Sequence, residues 1–428
     1  MLVAATVSAR LTPAVLLAGI LCGMLLAPRP ALAQSASQLS TWSFEQVLQA
    51  AMRGYPSLLG KRAQQRAAQA DLEGAKWQRY PSFTAETGAP SDGGSSGTLR
   101  VDQTLWSGGA VDAGIASAGS KLDSAGAAID EERLSLTLRV IAAYTEALRQ
   151  DGRRLHAARG VDEHRRLLDM IKRRVAHSVS SQTDQLLAES RLYQADNDLS
   201  VAEQALRNAL SQLSILAGRA VNDVSALGLS APDLPDNVEA LMPQALAFSP
   251  TLRRLAYDEN TAAADIDAKK AVYMPKVLFR LEKNIGNQLG QNNGARAMLV
   301  LQAQPGAGLS AVSGVDAAVA NREGARLARA DAERSVREQL ALDWHDWTGS
   351  SQRLHNADAA RSTADDVFAS YTRQYVAGRK TWNDVLNAVR EATAAQLALE
   401  DVRAAALAAG LRLAAESGNL RTMDGSRP

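Results

Sequence analysis

Aromatic side chains are scarce in this 428-residue chain: Phe, Trp and Tyr together make up 4%, with only five Phe. A compact core of large side chains is not expected. Alanine does much of the apolar work within an ordinary hydrophobic content of 46%. Small side chains suit long helices packed close together. Charge of one sign is missing as well. Lys plus Arg number 47 and Asp plus Glu 46, so the formal charge is +1 and there is no overall footprint for nucleic acid. There is one cysteine, Cys22, which excludes an internal disulfide framework and a thiolate metal site. Beyond the N-terminus no segment approaches ~18 consecutive apolar residues, so the chain is expected either to be soluble outside the cytoplasm or to cross a bilayer as a closed β-barrel.

The N-terminus has its own logic. Arg10 precedes an apolar run from Leu11 to Ala27, and Ala31-Leu32-Ala33 follows. That order predicts a secretory signal peptide over 1–33, cleaved after Ala33. Removing 33 of the 428 residues leaves 395, and Cys22 goes with the signal. The residues before Cys22 do not resemble a lipobox. An uncleaved anchor is the alternative, but the run is short for a bilayer span.

The remaining chain is written twice. Pro56 and Pro250 stand 194 positions apart, as do Ala70-Asp71 and Ala264-Asp265, and Pro81 and Pro275. Further on the offset is 200, matching Asp184, Leu186 and Ala188 to Asp384, Leu386 and Ala388. A small insertion between Pro275 and Ser335 accounts for the drift. Two copies of one unit are expected: a first over 34–220, a linker over 221–237, a second over 238–418 and a tail over 419–428.

Each copy reads as helices, two strands, a long helix and a returning helix. Ser43 is an expected N-cap, and Gly54 and Pro56 break the first helix. Strands are expected over 81–88, 97–106, 276–284 and 295–304. Leu99, Val101 and Leu105 alternate with Arg100, Asp102 and Thr104, and Val277, Phe279 and Leu281 with Leu278, Arg280 and Glu282. Gly- and Ser- or Asn-rich loops around Asp92 and Asn292 join each pair. Long helices are expected from Val111 to Arg174, with bends at Gly152 and Gly160, and from Ala311 to Tyr375. At 1.5 Å per residue they would reach on the order of 90–100 Å. Short turns at 176–182 and 377–380 lead into returning helices. Four strands cannot close a barrel, and open edges in lipid leave backbone groups unpaired. The pattern alone therefore predicts several chains pooling strands above a bundle of very long helices.

Here a family resemblance appears. The chain resembles the TolC family of outer-membrane efflux and secretion channels. The carriers are Phe44-Glu45-Gln46-Val47-Leu48-Gln49-Ala50-Ala51 with Tyr55-Pro56, and the helix ending in Tyr80-Pro81. The segment Asp102-Gln103-Thr104-Leu105-Trp106-Ser107-Gly108-Gly109 is similar to the family's Gln-Pro-Leu-Phe-x-Gly-Gly, with Thr104 for the proline and Trp106 for the phenylalanine. Gly378 to Ala388 matches its Gly-x-x-x-x-x-Asp-Val-Leu-x-Ala, and Ser178 to Ala188 does so more weakly.

The resemblance implies a mainly α fold with a small β part. Three chains would share a twelve-stranded outer-membrane β-barrel in lipid, continued by a periplasmic α-barrel with a small mixed belt. It implies a tunnel in a tripartite export system with a periplasmic adaptor (membrane fusion protein) and an inner-membrane ABC or RND transporter. Type I protein secretion is the first reading, and small-molecule, drug or metal efflux through an RND-type pump its close rival. By position, Asp384 falls on a pore-constriction aspartate, with Asn387 replacing a second one a turn on. Asp184, Tyr375 and Lys380 fall on the family's gate latch. Lys172, Arg173, Arg174 and Arg379 are candidate adaptor contacts, against the plainer reading of a solvated helix face. Trp77, Tyr80, Trp106 and Tyr273 flank the strands as candidate interfacial aromatics.

No enzyme constellation is present. The five histidines, 156, 164, 177, 345 and 355, scatter along predicted helices and are expected on the surface. None forms His-Glu-x-x-His, and no cofactor or metal motif is found. Gly306-Ala307-Gly308 fails the dinucleotide pattern. A periplasmic coiled-coil adaptor is a distant alternative, but it predicts a lipoyl-like β domain and a membrane anchor that the sequence does not display. A plain coiled coil would not need two strand pairs.

Overall fold

The structure is a computed structural model and describes residues 41–88, 96–226, 235, 237–286, 294–304 and 310–420. The signal segment with Cys22, the loop tips at Asp92 and Asn292, most of the 221–237 linker, Gly306–Gly308 and the tail from residue 421 lie outside the described residues.

Helix α1 (Phe44–Gly54) starts at a capping box, where the Ser43 and Gln46 side chains each receive the other's backbone N–H. Pro56 sits at the first position of α2 (Pro56–Trp77), where its missing N–H costs nothing. Strands β1 (Ser82–Gly88) and β2 (Ser96–Trp106) follow, then α3 (Ala110–Ala176) and α4 (Gln182–Ala217). The order then recurs: α5 (Val238–Phe248), α6 (Pro250–Lys270), β3 (Lys276–Gly286), β4 (Ala295–Gln302), α7 (Ser310–Val376) and α8 (Trp382–Glu416). Helices α3 and α7 are 67 residues each and begin 200 positions apart. The starts of β1 and β3 are 194 apart, so the extra residues lie between the start of β3 and the start of α7. No proline interrupts α3, α4, α7 or α8, which lets them run for up to ~100 Å. No described helix is apolar enough to cross a membrane.

The four strands form one antiparallel sheet in chain order, with β2 and β3 joining the two halves. The register sorts the side chains by face. Phe83, Leu99, Phe279, Leu281, Leu299 and Leu301 share a face and are exposed, Phe83 at 80% and Leu301 at 72%. On the other face Arg100 pairs with Glu282 (3.2 Å) and Arg280 with Asp102 (2.6 Å), directly across strands. A bulge at Leu105 ends the pairing regularity. Beyond it Gly108 and Gly109 both take positive φ, of 62° and 92°, to turn the chain into α3. A Cβ on Gly108 would fall 2.3 Å from the Cβ of Met274, so glycine is required there by both backbone and contact.

The largest core surrounds Tyr144, which is fully buried together with Leu136, Val140, Ile141 and Leu213. The Phe44 and Tyr144 rings meet edge to face at 5.6 Å. The Tyr144 hydroxyl lies 2.8 Å from the Trp42 carbonyl oxygen and 2.7 Å from that of Ser225, and accepts from the Ser225 N–H. It clamps the segment entering α1 to the segment leaving α4, which also meet in a bridge between Trp42 and Val224. Burial pushes its phenol up to about 12.

A polar cluster joins α7 to α8. Asp343, 2% exposed, accepts from Arg412 Nε at 2.6 Å and from Gln339 at 2.9 Å. Burial and the nearby Asp343 carboxylate push Glu416 up to about 8. Two of the five histidines depart from the surface expectation. His164 is buried, and His156 lies between Gln396 (3.2 Å) and Glu400 (3.3 Å). A helix packed against several neighbours at once presents more than one inward face, so a single stripe does not reveal them. Gly152 and Gly160 lie within one continuous α3 and face α8: a Cβ on Gly152 would come 2.8 Å from Glu400, and one on Gly160 3.4 Å from Thr393. Their role here is close helix approach.

Tyr144→Phe removes the hydroxyl that two half-buried carbonyls share. It should lower unfolding stability by ~1–3 kcal/mol in denaturant titration. Glu416 holds its proton in the folded state between the unfolded value of 4.5 and about 8. Its contribution is present below pH 4.5 and declines as pH rises to 8. Thermal unfolding of Glu416→Gln should lose that decline, and an unaltered pH profile would refute the assignment.

Candidate functional site: the paired helical tips

The α3–α4 and α7–α8 turns lie side by side, and they close by the same local device. Ser181 and Thr381 are N-caps, and each forms a capping box with the aspartate three residues on. Asp184 accepts the Ser181 N–H at 3.2 Å. Asp384 accepts both the Thr381 N–H (3.0 Å) and the Thr381 hydroxyl (2.9 Å). Those bonds, with Lys380 adding to them, hold the Asp384 carboxyl below its ordinary range, so it is charged at neutral pH. Each turn needs one left-handed residue, Ser178 (φ 57°) in the first and Gly378 (φ 75°) in the second.

The contacts between the tips are aromatic and cationic. Trp382 Nε1 donates to the backbone oxygen of Asp184 at 3.0 Å. Its ring meets Tyr375 at 5.1 Å. The Tyr375 hydroxyl is 3.2 Å from Ser180 Oγ, which accepts from Arg174 Nε at 3.3 Å. The Arg174 guanidinium lies 4.8 Å over the Tyr375 ring, and the Lys380 ammonium 4.2 Å over the Tyr371 ring. Leu167, Ile171, Ala188, Val385, Leu386 and Val389 supply a buried apolar base beneath them.

This places the sequence-derived residues. Tyr375 joins the two tips through Ser180. Asp184 joins them through its backbone, while its carboxylate caps its own helix. Lys380 turns to Tyr371, and no ion pair joins it to Asp184 among the described residues of the single chain. Asp384 and Asn387 lie partly exposed one turn apart on α8, outside the buried row of Val385, Leu386 and Ala388. Among the candidate adaptor contacts, Arg173 and Arg379 are exposed and Lys172 stands 4.0 Å from Glu189. Arg174 departs from that group, because the Tyr375 ring and Ser180 draw it into the tip. Sequence reasoning misses Trp382, Tyr371 and Ser180 as tip contacts. For Trp382 a signal exists: it stands 200 positions after Gln182, an aromatic where the first copy has an amide.

At the opposite end, Trp77, Tyr80, Trp106 and Tyr273 are exposed where helices pass into strands, and the Trp77 and Tyr80 rings meet at 5.0 Å. Among the described residues no group of His, Cys, Asp and Glu is arranged to hold a metal ion.

The fold has solved counterparts. CusC, described as forming a transmembrane channel, superposes with a TM-score of 0.78 at 13% identity, covering 88% of this chain and 92% of that one. A membrane protein from Pseudomonas aeruginosa gives 0.77 at 16% identity, over 88% and 93% of the two chains. The outer membrane channel MtrE of Neisseria gonorrhoeae, in its open state, gives 0.73 at 17% identity, over 88% and 89%. No curated protein sequence matches the chain. The family described as outer membrane efflux protein matches residues 47–219. Residues 47–219 are thus an outer membrane efflux protein domain, in a chain with the TolC-like fold of the outer-membrane factor channels.

Proposed function

We propose that three copies of this chain form an outer-membrane duct of a tripartite exporter, with its helices in the periplasm. The sheet carries the reading: one exposed apolar face, one face of cross-strand ion pairs, and outer edges on β1 and β4 without a strand partner among the described residues. Pooling four strands from each of three chains closes a barrel with lipid outside and charge inside. The exposed aromatics at the strand ends then sit at an interface with lipid.

The tips form the closable end. Asp384, with Asn387 a turn on, lines the constriction as a single carboxylate ring that favours cations and resists anions. Asp184, Tyr375 and Lys380 form the latch, together with Trp382, which ties the two tips of one chain. Lys172, Arg173 and Arg379 face a periplasmic adaptor, and an ABC or RND transporter completes the assembly. Type I protein secretion is the cargo reading argued from the sequence. Small-molecule, drug or metal efflux through an RND-type pump is its rival, and the family description fits export of either cargo. Co-purification of the inner-membrane partner separates them: an ABC transporter supports secretion, and an RND pump supports efflux.

Single-channel recording tests the ring. Asp384→Asn should reduce cation preference, and an unchanged preference would sink the assignment. Trp382→Ala removes a buried ring and one inter-tip hydrogen bond, at a cost of ~3–5 kcal/mol to local packing. Hydrogen exchange should quicken at 175–184 and 375–386, and mean conductance should rise; unaltered exchange at both tips would remove Trp382 from the latch. Asp184→Ala should raise conductance as well.

A further inference from the structure

Midway along the long helices, α4 and α8 flank a cleft whose floor is α3. Its volume is about 520 Å³, within the range of small-molecule sites. The cleft stays open because its lining is small. Ala157 and Gly160 form part of the floor, and Ala202 and Ala205 part of the α4 wall.

The charges around it do not balance. Arg149, Arg153, Arg191 and Arg390 line the cleft, with Asp198 as the one acidic lining residue. Arg149 and Arg153 share Asp401, at 3.0 and 2.7 Å, and Arg149 also pairs with Glu146. Arg191 donates to Gln194 at 3.0 Å and forms no ion pair among the described residues. Arg390 forms neither an ion pair nor a hydrogen bond among them. One uncompensated guanidinium therefore stands on each wall.

The floor adds an independent observation. His164 lines the cleft and is 8% exposed, and its Nδ1 is the buried side-chain polar atom without a hydrogen-bond partner among the described residues. An unmet buried group of this kind calls for an explanation. Burial, with Arg191 nearby, holds the ring below its ordinary pKa, so it is neutral at neutral pH and able to donate from either nitrogen.

We propose that the cleft binds a small multivalent oxyanion, one per chain, clamped between Arg191 and Arg390 and hydrogen-bonded by His164. Two guanidiniums on opposite walls match an anion with two separated charged groups better than a monovalent ion. The bound anion would tie α4 to α8 across α3. The inference goes beyond the transport reading and is independent of the cargo.

Calorimetry on the full-length protein in its native assembly in detergent tests this, with citrate and inorganic pyrophosphate as probes. Saturable binding of one anion per chain is expected, stronger for these probes than for chloride and weakened by salt. Preference for pyrophosphate identifies a phosphate-bearing ligand, and preference for citrate a carboxylate. Arg191→Gln with Arg390→Gln should weaken binding ~100-fold, about tenfold per arginine. Arg207→Gln, on α4 outside the cleft lining, should leave it unchanged. His164→Leu should weaken it ~10-fold, with His164→Gln retaining more affinity. No saturable binding by the unaltered protein, or equal binding by the double variant with its assembly and melting intact, overturns the proposal.

Discussion

The chain is built around a four-stranded antiparallel sheet whose outer strands, β1 and β4, have no further strand partner among the described residues. Four strands are too few to curl into a barrel. Their faces are already committed, one to exposed Phe and Leu side chains and the other to Arg100–Glu282 and Arg280–Asp102. On the proposed reading, completion comes from other copies of the chain. Gly108 and Gly109 turn β2 directly into α3, so whatever geometry the strands adopt is handed on to helices of 67 residues.

Duplication supplies the two halves, and local substitution makes them unequal. The capping boxes at Ser181 and Thr381 are nearly interchangeable. The side chains beside them are not: Val175, Ser180 and Gln182 in the first half correspond to Tyr375, Lys380 and Trp382 in the second. The second half contributes the rings and the first contributes their polar partners, Ser180 Oγ and the Asp184 carbonyl. Neither half would make these contacts with a copy of itself.

The strands are legible in the sequence because alternation and pleat share a period of two, and Arg100 opposite Glu282 follows once the register is set. The long helices are legible from the absence of proline and from the repeat. The tip contacts are not. Trp382 reaches residue 184 only after two helical hairpins have folded side by side, and no local pattern encodes a contact 198 positions away. Arg174 looks like its neighbours Lys172 and Arg173 because the three differ only in where the helix turn points them. His164 is hidden for a related reason: α3 packs against α2, α4, α6 and α8 at different heights, so its inward face changes along its length.

The polar ties between α3 and α8 have a mechanical side. Arg149 and Arg153 bind Asp401, and His156 binds Gln396 and Glu400, all within about two helical turns. From Arg153 to the end of α3 at Ala176 the helix extends for about 35 Å. Such a stretch acts as a lever arm pinned near its fulcrum. A tilt of about 10° at the pin would sweep the tip through roughly 6 Å, about the height of one helical turn, without lengthening the helix. Small adjustments at mid-height are thereby geared up into larger displacements of the tip.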